Sequence, residues 1–226
     1  MISGSEYNIR VRLAALLAVA AGIAAGMAGA ASAIEAFGRK WAVPEAADWS
    51  LSREDGVEGL HLARARGPLP GPRRPIQFAL APPHALNYTR LTLEADVKPL
   101  GRSLLVVVAW RDEAHFDYVH LSTDRAAEQP MHNGVFHVYG GERVRISPEE
   151  GPASFLQSGR WFHVAVTHDA TTRTITATVD GQAVPSLRAV DLSLGPGLAG
   201  FGTFDETAAF RNVRVTTAAM AGNGPF

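Results

Sequence analysis

Apolar and polar residues alternate with a period of two over much of the chain beyond residue 90. Such alternation, rich in β-branched and aromatic residues and bounded by turn residues, is typical of half-buried strands. No helical period persists for more than two turns outside the N-terminal region. The chain is therefore predicted to be all-β. The predicted strands are Leu91–Val97, Leu104–Trp110, Tyr118–Ser122, Val135–Tyr139, Arg143–Ile146, Trp161–His168, Thr174–Val179 and Phe210–Thr216.

Two of the connections are typical of tight hairpins. Gly140-Gly141 follows Val135–Tyr139 directly, and Asp180-Gly181 follows Thr174–Val179. Both pairs supply the left-handed backbone that two-residue turns need. Clusters such as Pro70-Gly71-Pro72 interrupt any helix. Short strands separated by turn signals favour an antiparallel two-sheet β-sandwich, a jelly roll, over a parallel α/β sheet, and the strand order stays open.

The N-terminal region has the pattern of a signal peptide. Arg10 and Arg12 precede an apolar, Ala-rich stretch, and Ala31-Ser32-Ala33 provides small residues at a cleavage site. We predict a cleaved signal peptide at residues 1–33, with retention as a membrane anchor as the alternative. Cleavage would give a periplasmic or secreted protein without membrane contact.

The remainder of the chain is predicted to form one domain. Residues 34–50 are expected to be a loosely structured lead-in, with Trp41 and Trp49 as packing anchors. Residues 51–217 are assigned to the sandwich, and the small, Gly-rich residues 218–226 to a flexible tail.

Composition excludes several classes of function. The 226 residues carry a formal net charge of −1, and no basic stripe runs through them, so a nucleic-acid partner is not expected. The chain has no cysteine, which excludes disulfides, a thiol nucleophile and thiolate metal ligands. The oligomeric state stays open.

Four stretches of the chain carry a resemblance to a known family: Leu91–Val97, Ala109–Leu121, Trp161–Val166 with Val179–Gly181, and Gly197–Gly202 with Phe210–Val215. Through them, the segment from Leu91 to Val215 resembles concanavalin A-like lectin and glucanase domains, and above all the laminin-G-like and 3-keto-disaccharide hydrolase-like domains of exported bacterial proteins. The resemblance implies a concanavalin-like fold that binds sugars, hydrolyses glycosidic bonds or serves as a structural, protein-contacting module. It does not discriminate among the three, because one fold hosts unrelated functions.

A group of aromatic and hydrogen-bonding residues in the middle of the chain is the candidate ligand site. Period-two alternation puts Tyr118, His120 and Ser122 on one face of their strand. Tyr, His, Asn and Arg side chains combine an aromatic platform with the donors and acceptors that sugar hydroxyls need. We predict carbohydrate binding without chemistry; the alternative is a polar sheet face that contacts only water. The proposed ligand-binding residues are Arg111, Tyr118, His120, His132, Asn133 and Arg143.

Catalysis has weaker support from the residues themselves. Laminarinase-type glucanases, which the chain resembles, place a nucleophile Glu, a helper Asp and an acid Glu at alternating strand positions. Here Glu94 and Asp96 alternate, but Lys98 stands where the acid would be, so the pair is interpreted as a solvated face. Under the hydrolase hypothesis, Asp117 or Glu94 would act with His120 or His132.

Metal and cofactor motifs are sparse. No H-x-H or H-E-x-x-H spacing occurs, which leaves an assembled site at His120, His132 and Asp117 as a hypothesis. No cofactor is expected to be required. Calcium is considered at Asp112, Asp117 and Asp205, as in concanavalin relatives. The G-x-G-x-x-G match at 195–200 contains Pro196 and is interpreted as a turn rather than a phosphate-binding loop.

Overall fold

A computed structural model describes residues 32–67, 70–81, 87–124, 132–148 and 156–219. Within these ranges the chain forms fifteen strands and a short 3₁₀ helix, Ala46–Asp48. The strands are β1 (Ser32–Ala36), β2 (Arg39–Val43), β3 (Trp49–Glu54), β4 (Val57–Leu62), β5 (Gln77–Ala81), β6 (Tyr88–Pro99), β7 (Ser103–Asp112), β8 (His115–Ser122), β9 (Gly134–Tyr139), β10 (Glu142–Arg145), β11 (Phe162–Asp169), β12 (Thr174–Val179), β13 (Gln182–Val190), β14 (Leu198–Thr203) and β15 (Ala208–Ala219).

The strands form two antiparallel sheets. One has eight strands in the order β1-β2-β5-β14-β7-β8-β9-β10, and the other has seven in the order β13-β12-β11-β6-β15-β4-β3. Non-consecutive neighbours such as β5-β14-β7 show that the chain crosses repeatedly between the sheets. The predicted fold class, an all-β antiparallel two-sheet sandwich, is confirmed.

Alternation along the strands builds the core between the sheets. On β6, Leu91, Leu93, Ala95 and Val97 are buried, whereas the residues between them are half-buried. Successive strand residues point to opposite faces, so this pattern places one face of β6 on the interior. The same alternation holds on β11, which pairs with β6 in register.

The eight predicted strands correspond to β6–β12 and β15, with ends that differ by a few residues. Both predicted hairpins are present as β9–β10 and β12–β13. The list of predicted strands omitted β1–β5, β13 and β14. These strands are short or rich in Ala, Gly and Pro, so their alternation is weak.

The expectation of a loosely structured segment at residues 34–50 is wrong. These residues contribute most of β1, all of β2, the 3₁₀ helix and the start of β3. Trp41 is fully buried and its ring centroid lies 4.8 Å from that of Phe201. Burial of this large aromatic surface gives the segment a place in the core that its sequence pattern does not reveal.

At both ends of the described chain, strands of the sandwich extend beyond the predicted boundaries of 51 and 217. Ser32 and Ala33 pair with Val43 and Ala42 in β1–β2, while residues 1–31 of the predicted signal peptide lie outside the described residues. Strand β15 continues to Ala219, into the predicted tail, and residues 220–226 are not described. Within the described ranges, no helix has the length and apolar character needed to span a membrane.

A second hydrophobic cluster covers the outer face of the eight-stranded sheet. It draws only on strands of that sheet and the residue after β14, and it is separate from the core between the sheets. We call this surface the aromatic face. An outer sheet face is ordinarily polar, whereas each residue of this apolar cluster is at most 8% exposed, so other atoms of the chain already cover most of it. The cluster comprises Phe78, Leu80, Leu105, Val107, Trp110, Phe116, Tyr118, Phe136, Val138, Leu198 and Phe204.

Candidate functional site

Strand β8 divides its side chains between the aromatic face and the interior, as predicted. Phe116 and Tyr118 belong to the aromatic face, whereas Val119 and Leu121 belong to the core between the sheets. His120 shares the parity of Tyr118 and lies 6.1 Å from it, centroid to centroid. The face predicted at Tyr118 and His120 therefore exists, although it is more apolar than expected.

A small polar pocket of about 60 Å³ opens at one end of the aromatic face. Three of the predicted ligand residues, His120, His132 and Arg143, lie together in its wall. The residues come from β7, β8 and β10 and from the connections β4–β5, β6–β7, β8–β9 and β14–β15. The full lining is Arg73, Arg102, Ser103, His120, Ser122, Asp124, His132, Arg143, Phe204, Asp205 and Glu206.

His120 is the most unusual residue of the pocket. Its side chain is only 2% exposed, and neither ring nitrogen has a hydrogen-bond partner among the described residues. The ring stacks on Phe204 with centroids 5.8 Å apart. Burial, with smaller contributions from the neighbouring His132 and Arg143, lowers the pKa of His120 to about 3. At neutral pH the imidazole is therefore uncharged, with one donor and one acceptor nitrogen.

Arg143 spans the same end of the aromatic face. Its guanidinium carbon lies 4.8 Å from the ring centroid of Phe204 and 5.6 Å from that of Phe136. Its Nη1 donates a long hydrogen bond of 3.5 Å to the hydroxyl of Tyr118. Burial raises the pKa of Tyr118 to about 12, so the phenol stays protonated. Within the described ranges no carboxylate pairs with the Arg143 guanidinium, which packs on aromatic rings instead.

Ion pairs form the rim of the pocket. The Nδ1 atom of His132 contacts Asp124, and the Nε atom of Arg102 lies 3.8 Å from the same carboxylate. On the other side, Arg73 pairs with Asp205 at 2.7 Å. The carboxylates of Asp124 and Asp205 are thus neutralised locally.

The other predicted ligand residues have different surroundings. Asn133 is buried next to the pocket, where its Oδ1 accepts a hydrogen bond from the backbone of Ser122 at 2.9 Å. Tyr118 lies beneath Arg143 and is not exposed. Arg111 is not in the pocket wall; its guanidinium lies against Gly195, 3.1 Å from where a β-carbon there would stand. The prediction of Arg111 as part of this site is not supported by its position.

The residues considered for catalysis or metal binding are not brought together as predicted. Glu94 and Asp96 lie on β6 in the seven-stranded sheet, away from His120. Asp96 is held by His163 and Asn212, at 3.0 and 2.7 Å.

The three residues considered for calcium binding, Asp117, Asp112 and Asp205, each have a different partner and do not form one site. Asp117 has the interior parity of β8 and hydrogen-bonds His137 instead of joining His120 and His132. Asp112 contacts His115 at 2.8 Å, and Asp205 pairs with Arg73.

Sequence reasoning missed several residues of the pocket. Arg73 and Arg102 belong to connections before β5 and before β7, and Phe204 directly follows β14. The only signal in the sequence was the presence of an aromatic or arginine residue in a loop. Loop residues follow no periodicity, so the sequence does not predict which way their side chains point. A second, apolar cavity of about 240 Å³, lined in part by Phe78, Trp110 and Phe116, also went unpredicted.

Comparison with known proteins finds similarity of shape. No protein-family model and no curated protein sequence matches the chain. The carbohydrate binding module CBM66 from Bacillus subtilis is 16% identical, with 83% of this chain and 92% of that chain covered and a TM-score of 0.47. A Bacillus subtilis protein of unknown function with a galectin-like fold is 15% identical (78% and 92% covered, TM-score 0.45). A tetrameric galectin from the ball sponge Cinachyrella sp. is 16% identical (62% and 99% covered, TM-score 0.43). Likenesses at this level assign the chain neither a family nor a function.

Acidification should destabilise the protein through His120. Its folded-state pKa of about 3 lies below the ordinary value of 6.5, so the unfolded chain takes up the proton first. The stabilising contribution is complete above pH 6.5 and is lost as the pH falls towards 3. Between pH 7 and pH 5, this histidine alone should lower the free energy of unfolding by about 2 kcal/mol. Urea titrations at both pH values, compared with His120→Phe, measure that share. An unchanged pH dependence in the variant would contradict the prediction.

Proposed function

We propose that the protein is a carbohydrate-recognition module that binds a sugar in the polar pocket of the aromatic face, without carrying out chemistry. The observation that supports this most directly is His120, a neutral and buried imidazole whose two nitrogens both lack partners among the described residues. Most buried polar atoms in proteins are hydrogen-bonded, and each one left unpaired costs free energy. A ligand that both donates and accepts hydrogen bonds would remove this cost.

Sugar hydroxyls meet that requirement. One hydroxyl can donate to the acceptor nitrogen of His120 while another accepts from its N–H group. Arg143 adds fixed, charged donors beside the same pocket, and hydrogen bonds to charged groups are stronger than neutral ones. Phe204 stacks on His120 and lies beneath the guanidinium of Arg143, so its ring holds both groups in the wall of the pocket.

The proposed location follows from the N-terminal pattern. We infer export to the periplasm or the medium, with removal of residues 1–33. This agrees with the absence of cysteine from the chain, because no thiol is exposed to an oxidising compartment.

Calorimetric titration of the full chain with a sugar panel tests the proposal. The panel contains neutral and acidic monosaccharides and oligosaccharides as well as 3-keto-glucosides, and products are analysed after incubation. We expect one class of sugar to bind and Arg143→Ala to weaken its affinity about 10- to 100-fold, because a charged hydrogen-bond donor is lost. Arg188→Ala is the matched control, since Arg188 is exposed on β13 in the other sheet.

The outcomes separate the hypotheses. Binding that depends on Arg143, with no product formed, supports recognition without chemistry. Product formation would favour the hydrolase alternative. Absence of binding across the panel, or equal affinity in the Arg143→Ala and Arg188→Ala variants, would overturn the assignment of the pocket as a sugar site.

A further inference from the structure

Three potential metal ligands converge at the opposite side of β8 from the polar pocket. They are Asp117 of β8, His137 of β9 and Asp191, which directly follows β13. One nitrogen or carboxylate oxygen from each residue lies within 4.8 Å of the others. All three residues are at most 8% exposed, and Asp117 is 0% exposed. The cluster joins strands of both sheets.

The cluster has more negative charge than its single histidine can balance. The Nδ1 atom of His137 lies 2.7 Å from Oδ1 of Asp117 and 3.8 Å from Oδ1 of Asp191. The second oxygen of Asp117, Oδ2, is buried and has no donor among the described residues. Two buried carboxylates need a further positive charge.

Surrounding hydrogen bonds hold the ligands in position. The Nε2 atom of His137 lies 3.2 Å from the hydroxyl of Ser193, which leaves Nδ1 directed at the carboxylates. Asp191 accepts hydrogen bonds from the backbone N–H groups of Ser193 and Leu194, at 3.0 and 2.7 Å. In metal sites, the ring nitrogen of a ligating histidine that does not bind the metal usually hydrogen-bonds to an oxygen, and ligating carboxylates are held by hydrogen bonds of their own. His137 and Asp191 have both features.

The contacts from Ser193 to His137 and from His137 to Asp117 also follow the order found in the catalytic triad of a serine hydrolase. Acyl transfer additionally requires backbone donors free to stabilise an oxyanion. The N–H groups of Ser193 and Leu194 are already committed to Asp191, and the hydroxyl of Ser193 also donates to that carboxylate. The local geometry therefore favours a cation site over a nucleophile.

We propose that Asp117, His137 and Asp191 bind one divalent transition-metal ion, with Zn²⁺ the best match. One imidazole and two carboxylates suit zinc, whereas Ca²⁺ prefers six to eight oxygen ligands. The ion would cross-link β8 and β9 to the segment after β13 and so stabilise the sandwich. The site is independent of the proposed sugar pocket, because Asp117 and His120 point to opposite faces of β8.

The test is calorimetry and thermal unfolding of the untagged full chain after treatment with a chelator. Zn²⁺, Mn²⁺ and Ca²⁺ salts are added separately. We expect one equivalent of Zn²⁺ to bind and raise the melting temperature, and Asp191→Asn to weaken binding at least 10-fold. Asp112→Asn is the matched control: Asp112 contacts His115 at 2.8 Å in a similar pair, and no third potential ligand joins that pair among the residues that the structure describes.

Several results would overturn the proposal. These are no stoichiometric binding of Zn²⁺, binding unchanged by Asp191→Asn, or Ca²⁺ affinity equal to that of Zn²⁺. If Asp191→Asn fails to fold, His137→Gln replaces it, with the same expectation. Arg143→Ala should leave zinc binding unaltered, so failure at this site is distinguishable from failure of the sugar proposal.

Discussion

Replacement of Gly202 by alanine is expected to lower the free energy of unfolding by about 3 kcal/mol. A β-carbon at this position would stand 1.9 Å from the backbone oxygen of Gln77 and 3.0 Å from the Cα atom of Phe78. Both are main-chain atoms of β5, so no rotamer change can relieve the overlap. The strands β14 and β5 would have to separate. Urea unfolding of the full chain measures the loss.

Gly67→Ala provides the control for that substitution. A β-carbon at Gly67 would have no neighbouring atom within 4 Å, and the φ angle of this residue is not positive. Alanine there should therefore change stability by less than about 0.5 kcal/mol. Similar free energies of unfolding for the two variants would contradict the idea that β14 depends on the close approach of its backbone to β5.

The glycines around β14 explain why this strand is hard to recognise from sequence. The sequence analysis interprets the G-x-G-x-x-G match at 195–200 as a turn. Gly195 lies in the connection before β14, as expected, but Leu198–Gly200 already belong to β14. An alanine β-carbon at Gly200 would stand 2.2 Å from the backbone oxygen of Ala79. Glycine here permits close packing of two backbones rather than a turn, and sequence propensity treats both cases alike.

Period-two alternation located much of the site but failed at a bulge. It correctly placed Tyr118 and His120 on one face, because β8 pairs regularly with β9. In β7 the register shifts between Val108 and Asp112, and Ala109 has a φ of 52°. Trp110 consequently joins the aromatic face with Val107, and Arg111 is displaced from the position that simple alternation assigns.

Period-two alternation along β8 is enough to place Asp117 on the interior face of the strand. It does not identify the residues that Asp117 contacts there. His137 comes from the neighbouring strand, whereas Asp191 reaches the cluster only because the end of β13 packs near β9. That contact joins the two sheets, and its formation depends on the strand order, which local sequence patterns do not determine. Site residues that come from one hairpin can be predicted from the sequence. Site residues that come from the second sheet can be identified only when the three-dimensional fold is known.

Phe201→Ala is expected to lower the free energy of unfolding by about 3–5 kcal/mol. Phe201 is fully buried in the core between the sheets. Its ring centroid lies 4.5 Å from that of Phe210 in the opposite sheet and 4.8 Å from that of Trp41 in β2. Truncation would leave a cavity among large aromatic rings that cannot collapse without moving both sheets. Leu51→Ala, at a position 61% exposed on β3, is the control and should cost less than about 0.5 kcal/mol.

A double-mutant cycle extends this test to the N-terminal segment. If β2 is an integral layer of the core, Phe201→Ala and Trp41→Ala share one cavity, and their effects on the free energy of unfolding should differ from additivity by more than about 0.5 kcal/mol. Strict additivity, together with a small effect of Trp41→Ala alone, would mean that residues 39–43 contribute little to stability. In that case the sequence-based expectation of a loosely attached lead-in would describe the segment better than its place in the eight-stranded sheet.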